Sequence, residues 1–381
     1  MGININNKIN NMKNKLFIIG AVLITAIYAV VDHYTTTPNF DAKQEKVAQR
    51  TANVNLKGIS IQSQNGSHMD VAYLASIGVN CIRIQIKPAD RAKRMNIMPQ
   101  TAFTIELGWA ERIIDECKVN GITSIVSFND FVLDPNDTIN ENDLKFWTDS
   151  VYLKNTYNYI KAIAVKYKSK GSELYAYEFM SEPALYTSSD GTAIQPPRLE
   201  EFYNNSLFIV RSYDPLRCFV LTPGPWAKPT NYRNFNGFQS ISDTNVVYNV
   251  HMYMPHNYTH QGIKGYQRPV SYPSATFNSD TIIKRFKSVK DFQTRTGHKI
   301  IVGEFQAIRW APNADQWVKD VLTNIKANGW SWCYFSYKPN YRFWDPFFAV
   351  ANPTSKPQHW YLKNFGTTSD MWKYMINEGY K

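Results

Sequence analysis

The 381-residue chain holds only 4 cysteines, too few for a disulfide framework. Charge is also sparse. Asp, Glu, Lys and Arg make up 19% of the residues against 44% apolar, which excludes a chain that stays disordered for want of a core. Acids are outnumbered, 31 to 42 bases, for a formal charge of +11, but no basic run concentrates the excess. A surplus spread this way suits solubility or an anionic surface and does not make a nucleic-acid footprint. Metal-ligand spacing is missing as well: His251, His256 and His260 lie close in sequence, but without a nearby Cys or acid. Neither a metal nor a cofactor is expected. No internal repeat stands out.

Aromatic rings are abundant, with 10 Trp, 24 Tyr and 21 Phe, a heavier load than a packed core needs. The one long apolar run is near the start. Residues 1–15 carry Lys8, Lys13 and Lys15 and no acid, and residues 16–31 are apolar or small except for Thr25 and Tyr28. A basic flank before an apolar run is the pattern of a secretory signal or an N-terminal anchor, and it puts the remainder outside the cytoplasm, either periplasmic or extracellular. Ala29 could end a cleavable signal, so secretion after cleavage and membrane anchoring both stay open. The expected organisation is residues 1–31 as signal or anchor, 32–53 as a polar tether, and 54–381 as one folded domain.

Within 54–381, short apolar runs alternate with longer amphipathic ones. Strands are expected at residues 56–61, 80–86, 123–128, 174–180, 218–222, 246–253, 299–302 and 331–335. Helices are expected at 69–77, 105–119, 144–167, 199–213, 281–292 and 317–327, several of them running into a glycine such as Gly297 or Gly329. Eight strands alternating with helices predict an α/β fold, a single (β/α)8 TIM barrel, whose functional side chains belong at the C-terminal strand ends. The polar or aromatic residues there are Asn129 and Asp130, Ser181 and Glu182, Trp226, His251 and Tyr253, and Glu304.

Glu182 and Glu304 close the fourth and seventh strands, which face each other across a closed eight-stranded mouth. Taken singly, each could be an ordinary ion pair. Together they are what a retaining glycosidase needs, two carboxyls about 5–5.5 Å apart, one acting as acid/base and one as nucleophile. Sugars present flat apolar faces edged by hydroxyls, so a cleft for them wants aromatic platforms beside polar partners. Trp226, Tyr253, Tyr258, Trp310, Trp330, Trp332, Tyr334, Phe335 and Trp344 crowd the later strand ends, most as packing and about three facing substrate.

These residues resemble the retaining β-glycanases of glycoside hydrolase family 5, the cellulase-like clan A barrels, over roughly residues 56–345. Ile77-Gly-Val-Asn-Cys-Ile-Arg-Ile84 is similar to the second-strand motif, and Ser181-Glu-Pro183 to the fourth. Pro223-Gly-Pro-Trp226 looks like the fifth. His251-Met-Tyr-Met-Pro255 with Thr259-His-Gln-Gly262 matches the sixth, Gly303-Glu-Phe305 the seventh and Gly329-Trp-Ser-Trp332 the eighth. The resemblance implies Glu182 as acid/base, Glu304 as nucleophile and Arg83 as support for the nucleophile, with His251 and Tyr253 bracketing the pair. It also implies Asn129, Ser181, Trp226, Trp332 and Phe335 as substrate-binding or supporting residues. Three positions depart from the family pattern. Ser181 replaces the asparagine that binds the sugar 2-hydroxyl, Asn129-Asp130 stands where many relatives have a histidine pair, and Phe335 takes the place of a Trp platform.

The expected activity is endo-acting hydrolysis of a β-linked polysaccharide, foremost a β-1,4-glucan, by a monomer without cofactor. A mannan or decorated glycan as substrate, or a non-catalytic glycan-binding barrel, are the alternatives. No separate binding module or Ser/Thr/Pro-rich linker follows the barrel, which favours a role in processing the cell's own exopolysaccharide over environmental degradation.

Overall fold

Eight of the short apolar runs form parallel strands: β1 (Lys57–Gln62), β2 (Cys81–Ile86), β3 (Thr123–Phe128), β4 (Ala176–Phe179), β5 (Cys218–Leu221), β6 (Val246–Met252), β7 (Lys299–Phe305) and β8 (Ser331–Tyr337). They close into a barrel in chain order, with β8 returning to pair with β1. The computed structural model describes residues 55–65, 68–128, 139–188, 191–263, 265–266, 269–338 and 370–381. The expected signal or anchor and the tether, residues 1–53, lie outside these. Among the described residues no helix is long and apolar enough to cross a membrane.

Side chains alternate in and out along each strand, and this parity sorts the core into two parts. Cys81, Ile125, Ala176, Cys218, Ile301 and Cys333 come from six strands and pack together in a cluster confined to the barrel interior. Three of the four cysteines therefore serve as small apolar fillers, and all four are buried free thiols. A Cβ on Gly58 would come 2.5 Å from the Cys333 Sγ, so β1 reaches its neighbours only because this position is glycine. The outward residues Ile82, Tyr177, Tyr248 and Trp332 join a larger cluster with the buried faces of the surrounding helices.

The helical layer comprises α1 (His68–Ser76), α2 (Pro88–Met95), α3 (Pro99–Val119), α4 (Leu144–Thr148), α5 (Ser150–Tyr167), α6 (Leu199–Tyr213), α7 (His256–Thr259), α8 (Ser279–Thr296), α9 (Ala314–Ala327) and α10 (Asp370–Tyr374). Three differ from expectation for identifiable reasons. The single helix expected at 144–167 is broken at Asp149, which is extended (φ −89°, ψ 117°) and whose carboxylate accepts from the Val151 N–H at 3.0 Å, starting α5. α2 escapes a periodicity reading because it is mostly polar, and it is held by Arg91, which pairs with buried Glu106 of α3 at 2.9 Å and lies 4.1 Å over the Trp109 ring. α10 belongs to a C-terminal segment whose Trp372 and Tyr380 are buried. The Tyr380 ring lies 5.1 Å from that of Trp332, and the Lys57 ammonium donates to the Lys381 carbonyl at 2.6 Å.

Candidate active site

The inward parity that places Cys81, Ala176 and Val247 in the interior carries, two residues further on, Arg83 of β2, Glu178 of β4 and Asn249 of β6, all buried. Arg83 is the hub. Its Nε donates to Glu178 Oε2 at 2.6 Å and its Nη1 to Glu304 Oε1 at 2.8 Å, while Nη2 donates to Ser181 Oγ. Burial works against the guanidinium charge, but the carboxylates of Glu178 and Glu304 outweigh it and push its pKa up further. One cation is thus shared between two buried carboxylates.

Glu304 is held from both sides. Arg83 occupies Oε1, and the Tyr253 hydroxyl donates to Oε2 at 2.9 Å. Burial and the nearby carboxylates of Glu304 and Glu182 raise the Tyr253 phenol well above its ordinary range, so it remains a donor. A β-bulge sets this geometry: Val250 pairs with Val302 and His251 with Glu304, leaving Gly303 without a partner residue. Its N–H donates instead to Asn249 Oδ1 at 2.9 Å.

Glu182 reaches the same volume from a loop. β4 ends at Phe179 because Met180 takes a left-handed conformation, φ 76°, which resets the alternation. Ser181 and Glu182 can then both turn toward the mouth, Ser181 to Arg83 and Glu182 to His251. Glu182 Oε1 lies 2.8 Å from His251 Nδ1, and its side chain remains 38% exposed, open enough to meet solvent. Burial lowers the basicity of His251, but the carboxylates of Glu304 and Glu182 outweigh it and raise the ring above its ordinary value.

Glu182, His251 and Glu304 each offer a ligand atom, and these atoms lie within 4.8 Å of one another. The donor set does not suit a cation, because Arg83 and Tyr253 already take both oxygens of Glu304 and the guanidinium repels positive charge. The trio is arranged for protons. Among the described residues His256 and His260 do not join it; their rings stack edge-on at 5.2 Å, and His260 lies against Tyr253.

The aromatics divide by parity. Trp226 is half-buried at the mouth, with its ring 5.3 Å from that of Tyr186, which is 47% exposed on a two-residue strand (Leu185–Tyr186) just beyond Glu182. Phe335 is half-buried, 6.4 Å from Tyr253. Trp332 is not in the site: it is 1% exposed and packs outward against Phe305 and Tyr380. The correction follows from alternation, since Trp332 and Phe335 stand three apart on one strand and face opposite sides. Trp330, Tyr334 and Tyr258 are likewise buried in the shell. Asn129, Asp130 and Trp344 lie outside the described residues. Sequence reasoning missed Glu178, Asn249 and Tyr186. Asn249 shares the inward parity of His251 on the same strand, and that signal would have found it, whereas the turn at Met180 resets the alternation between Glu178 and Glu182.

A closed parallel barrel whose C-terminal mouth brings two glutamates together, one gripped by an arginine and a tyrosine and the other by a histidine, has the layout of a glycoside hydrolase. The chain belongs to the cellulase family, glycosyl hydrolase family 5, which it matches over residues 41–341, and it is a glycoside hydrolase of that retaining family. No curated protein sequence matches it. Among solved structures it is similar to cellulose synthase subunit Z from Clostridioides difficile, at 18% identity and TM-score 0.60 over 76% of this chain and 94% of that one. It is similar to a hyperthermophilic endo-β-1,4-glucanase in complex with substrate, at 18% identity and TM-score 0.60 over 76% and 90%. A Thermotoga maritima Cel5A in complex with mannotriose matches at 16% identity and TM-score 0.59 over 74% and 90%. At these identities the likeness shows the fold.

Proposed function

We propose that the chain is an endo-acting β-glycosidase that cuts a β-1,4-glucan, with Glu304 as nucleophile and Glu182 as acid/base. The observation that carries this is the meeting of the two carboxylates, one oxygen of each within 4.8 Å of the other, which favours the roughly 5–5.5 Å spacing of a retaining pair over the roughly 6.5–9.5 Å that an inverting pair needs for its water. Their surroundings separate their tasks. Glu304 accepts from a cation and a phenol, which fix the orientation of both its oxygens at the mouth, as a group aimed at the anomeric carbon requires. Glu182 is the more exposed and rests on His251, which suits a group that gives a proton to the departing oxygen and then takes one from water. Trp226 and Tyr186 would carry the sugar beyond the cleaved bond.

The apolar run at residues 16–31 supports an exported enzyme, anchored or secreted. The likeness to a cellulose synthase subunit supports a role in processing the cell's own polysaccharide. A non-catalytic glycan-binding protein is the competing reading, favoured by Ser181, whose hydroxyl is engaged by Arg83 where the family places a longer amide.

The test is reducing-end release from β-glucans and β-mannans, with Glu304→Ala as control. A 2-deoxy-2-fluoro cellobioside bearing an activated leaving group serves as a trap. Turnover on β-1,4-glucan that the variant loses, with the trapped sugar on the peptide containing Glu304, is expected. A trap on another residue would overturn the assignment. Saturable glycan binding with no turnover on any substrate would favour the binder.

A further inference from the structure

Asn249 is fully buried between the two halves of the site, and one neighbour settles which way its amide points. The Gly303 N–H, left over at the bulge, donates to Oδ1 at 2.9 Å. A backbone N–H only donates, so the oxygen end faces it and the NH2 end faces the other way, which removes the usual ambiguity of an amide. That NH2 has Glu178 Oε1 at 2.8 Å, His251 Nε2 at 3.0 Å and Thr222 Oγ1 further off at 3.3 Å. Its two hydrogens go to the first two. His251 Nε2 must then accept, and the ring proton sits on Nδ1, facing Glu182 Oε1 at 2.8 Å.

We propose that Asn249 is a positioning residue for proton transfer, holding His251 in the neutral Nδ1–H form so that the dissociable proton of the Glu182–His251 pair stays on Glu182. The inference rests on the acid/base role proposed for Glu182. In the competent state the pair has one proton to place, either on Glu182 as a carboxylic acid or on His251 as an imidazolium beside a carboxylate. Only the first can protonate a leaving group.

The charges facing His251 pull both ways, and on balance they favour the ring proton, which is what Asn249 has to oppose. Glu182 and Glu304 draw the proton to the ring, while burial and Arg83 oppose it. Glu178 adds negative charge beyond Asn249, and Tyr253 stays a neutral phenol. Lys228 adds a cation near Glu182 that favours its carboxylate. Asn249 supplies the remaining opposition, because an imidazolium Nε2–H would be aimed at an NH2, donor against donor. Gly303 completes the device: a Cβ there would collide with the Asn249 side chain, so the residue that anchors the amide has to be glycine.

Asn249→Asp keeps the size and the acceptor for Gly303 but offers His251 Nε2 an acceptor. His251 should take the proton, and the fraction of the pair with protonated Glu182 should fall. Both arrangements hold the same number of protons. The plateau of kcat/KM therefore drops while its alkaline limb moves to higher pH, by about one unit for each tenfold loss. A lost plateau with the limb unmoved or lowered would mean a damaged site and overturn the proposal. A second measurement needs no turnover. Imidazole 15N NMR of the full wild-type chain at pH 7, assigned by the resonance that disappears in His251→Gln, should show a protonated Nδ1 and a bare Nε2. An Nε2–H ring or an imidazolium there overturns the proposal. Failure of the hydrolase reading would look different: no turnover by the wild type on any β-glycan, with the NMR result still deciding the tautomer.

Discussion

Arg83 joins groups that the chain separates by up to 221 residues, bonding Glu178, Ser181 and Glu304 at once. Such a cation is costly to bury and more costly to remove. Arg83→Ala would leave two buried carboxylates facing each other uncompensated, and a loss of about 3–5 kcal/mol in stability is expected from denaturant unfolding. An unchanged midpoint would mean that the carboxylates find other partners. Tyr253→Phe makes a cleaner probe, because it removes one charge-assisted hydrogen bond to Glu304 and keeps the ring. That bond is worth about 1.5–3 kcal/mol. Stability should fall by about that amount, and if Glu304 is the nucleophile, kcat of the folded variant should also fall, roughly 10–100-fold. A loss of stability with kcat unchanged in the folded variant would assign Tyr253 to packing instead.

At the scale of single elements, β8 shows how alternation divides labour along one strand. Trp332 serves the outer shell and Phe335 the mouth, with Cys333 filling the interior between them. Trp332→Ala should therefore cost about 3–5 kcal/mol of stability and leave KM untouched in the surviving folded fraction. Trp226→Ala should do the reverse, raising KM with little change in the unfolding midpoint, because its ring is half-buried at the mouth beside exposed Tyr186. If Trp226→Ala unfolds the protein without altering KM, the mouth platform is misassigned. The loop that bears Trp226 is itself strained: Trp226 and Ala227 both lie at positive φ, 62° and 52°. It is tied to the Glu182 loop by the Trp226 N–H bond to the Pro183 carbonyl at 3.2 Å and to β6 by the His251 N–H bond to the Ala227 carbonyl at 2.7 Å.

For the whole molecule, the aromatic and thiol content sets an alkaline limit. Burial raises the phenols of Tyr203, Tyr232, Tyr253 and Tyr380 far above their free value of 10.0. It also pushes the Cys218 thiol from 9.0 to about 11. The native state keeps these protons, whereas the unfolded chain releases them near the free values. Their stabilising contribution is complete below about pH 9 and is lost as the pH rises toward the native values. The thermal midpoint should hold steady from neutral pH to about pH 9 and then fall progressively. A midpoint still flat at pH 11 would show that these groups titrate in the native state after all.

The barrel was legible in the chain because parallel strands buried on both faces are short apolar runs, and eight of them alternate with amphipathic helices. Glu182 and Glu304 stood out for the same reason, as acids ending apolar runs. Only the tertiary structure decided what meets what. Closing the barrel sets Arg83 between Glu178 and Glu304, the left-handed turn at Met180 lets Ser181 and Glu182 face the mouth together, and the bulge at Gly303 turns the Asn249 amide toward His251. α2 and the break at Asp149 escaped periodicity because an ion pair and a side-chain cap form them, and neither leaves an apolar pattern. Composition and period report what a residue avoids, which is water. Which partner it finds depends on closure, bulges and turns, and these exist only once the chain has folded.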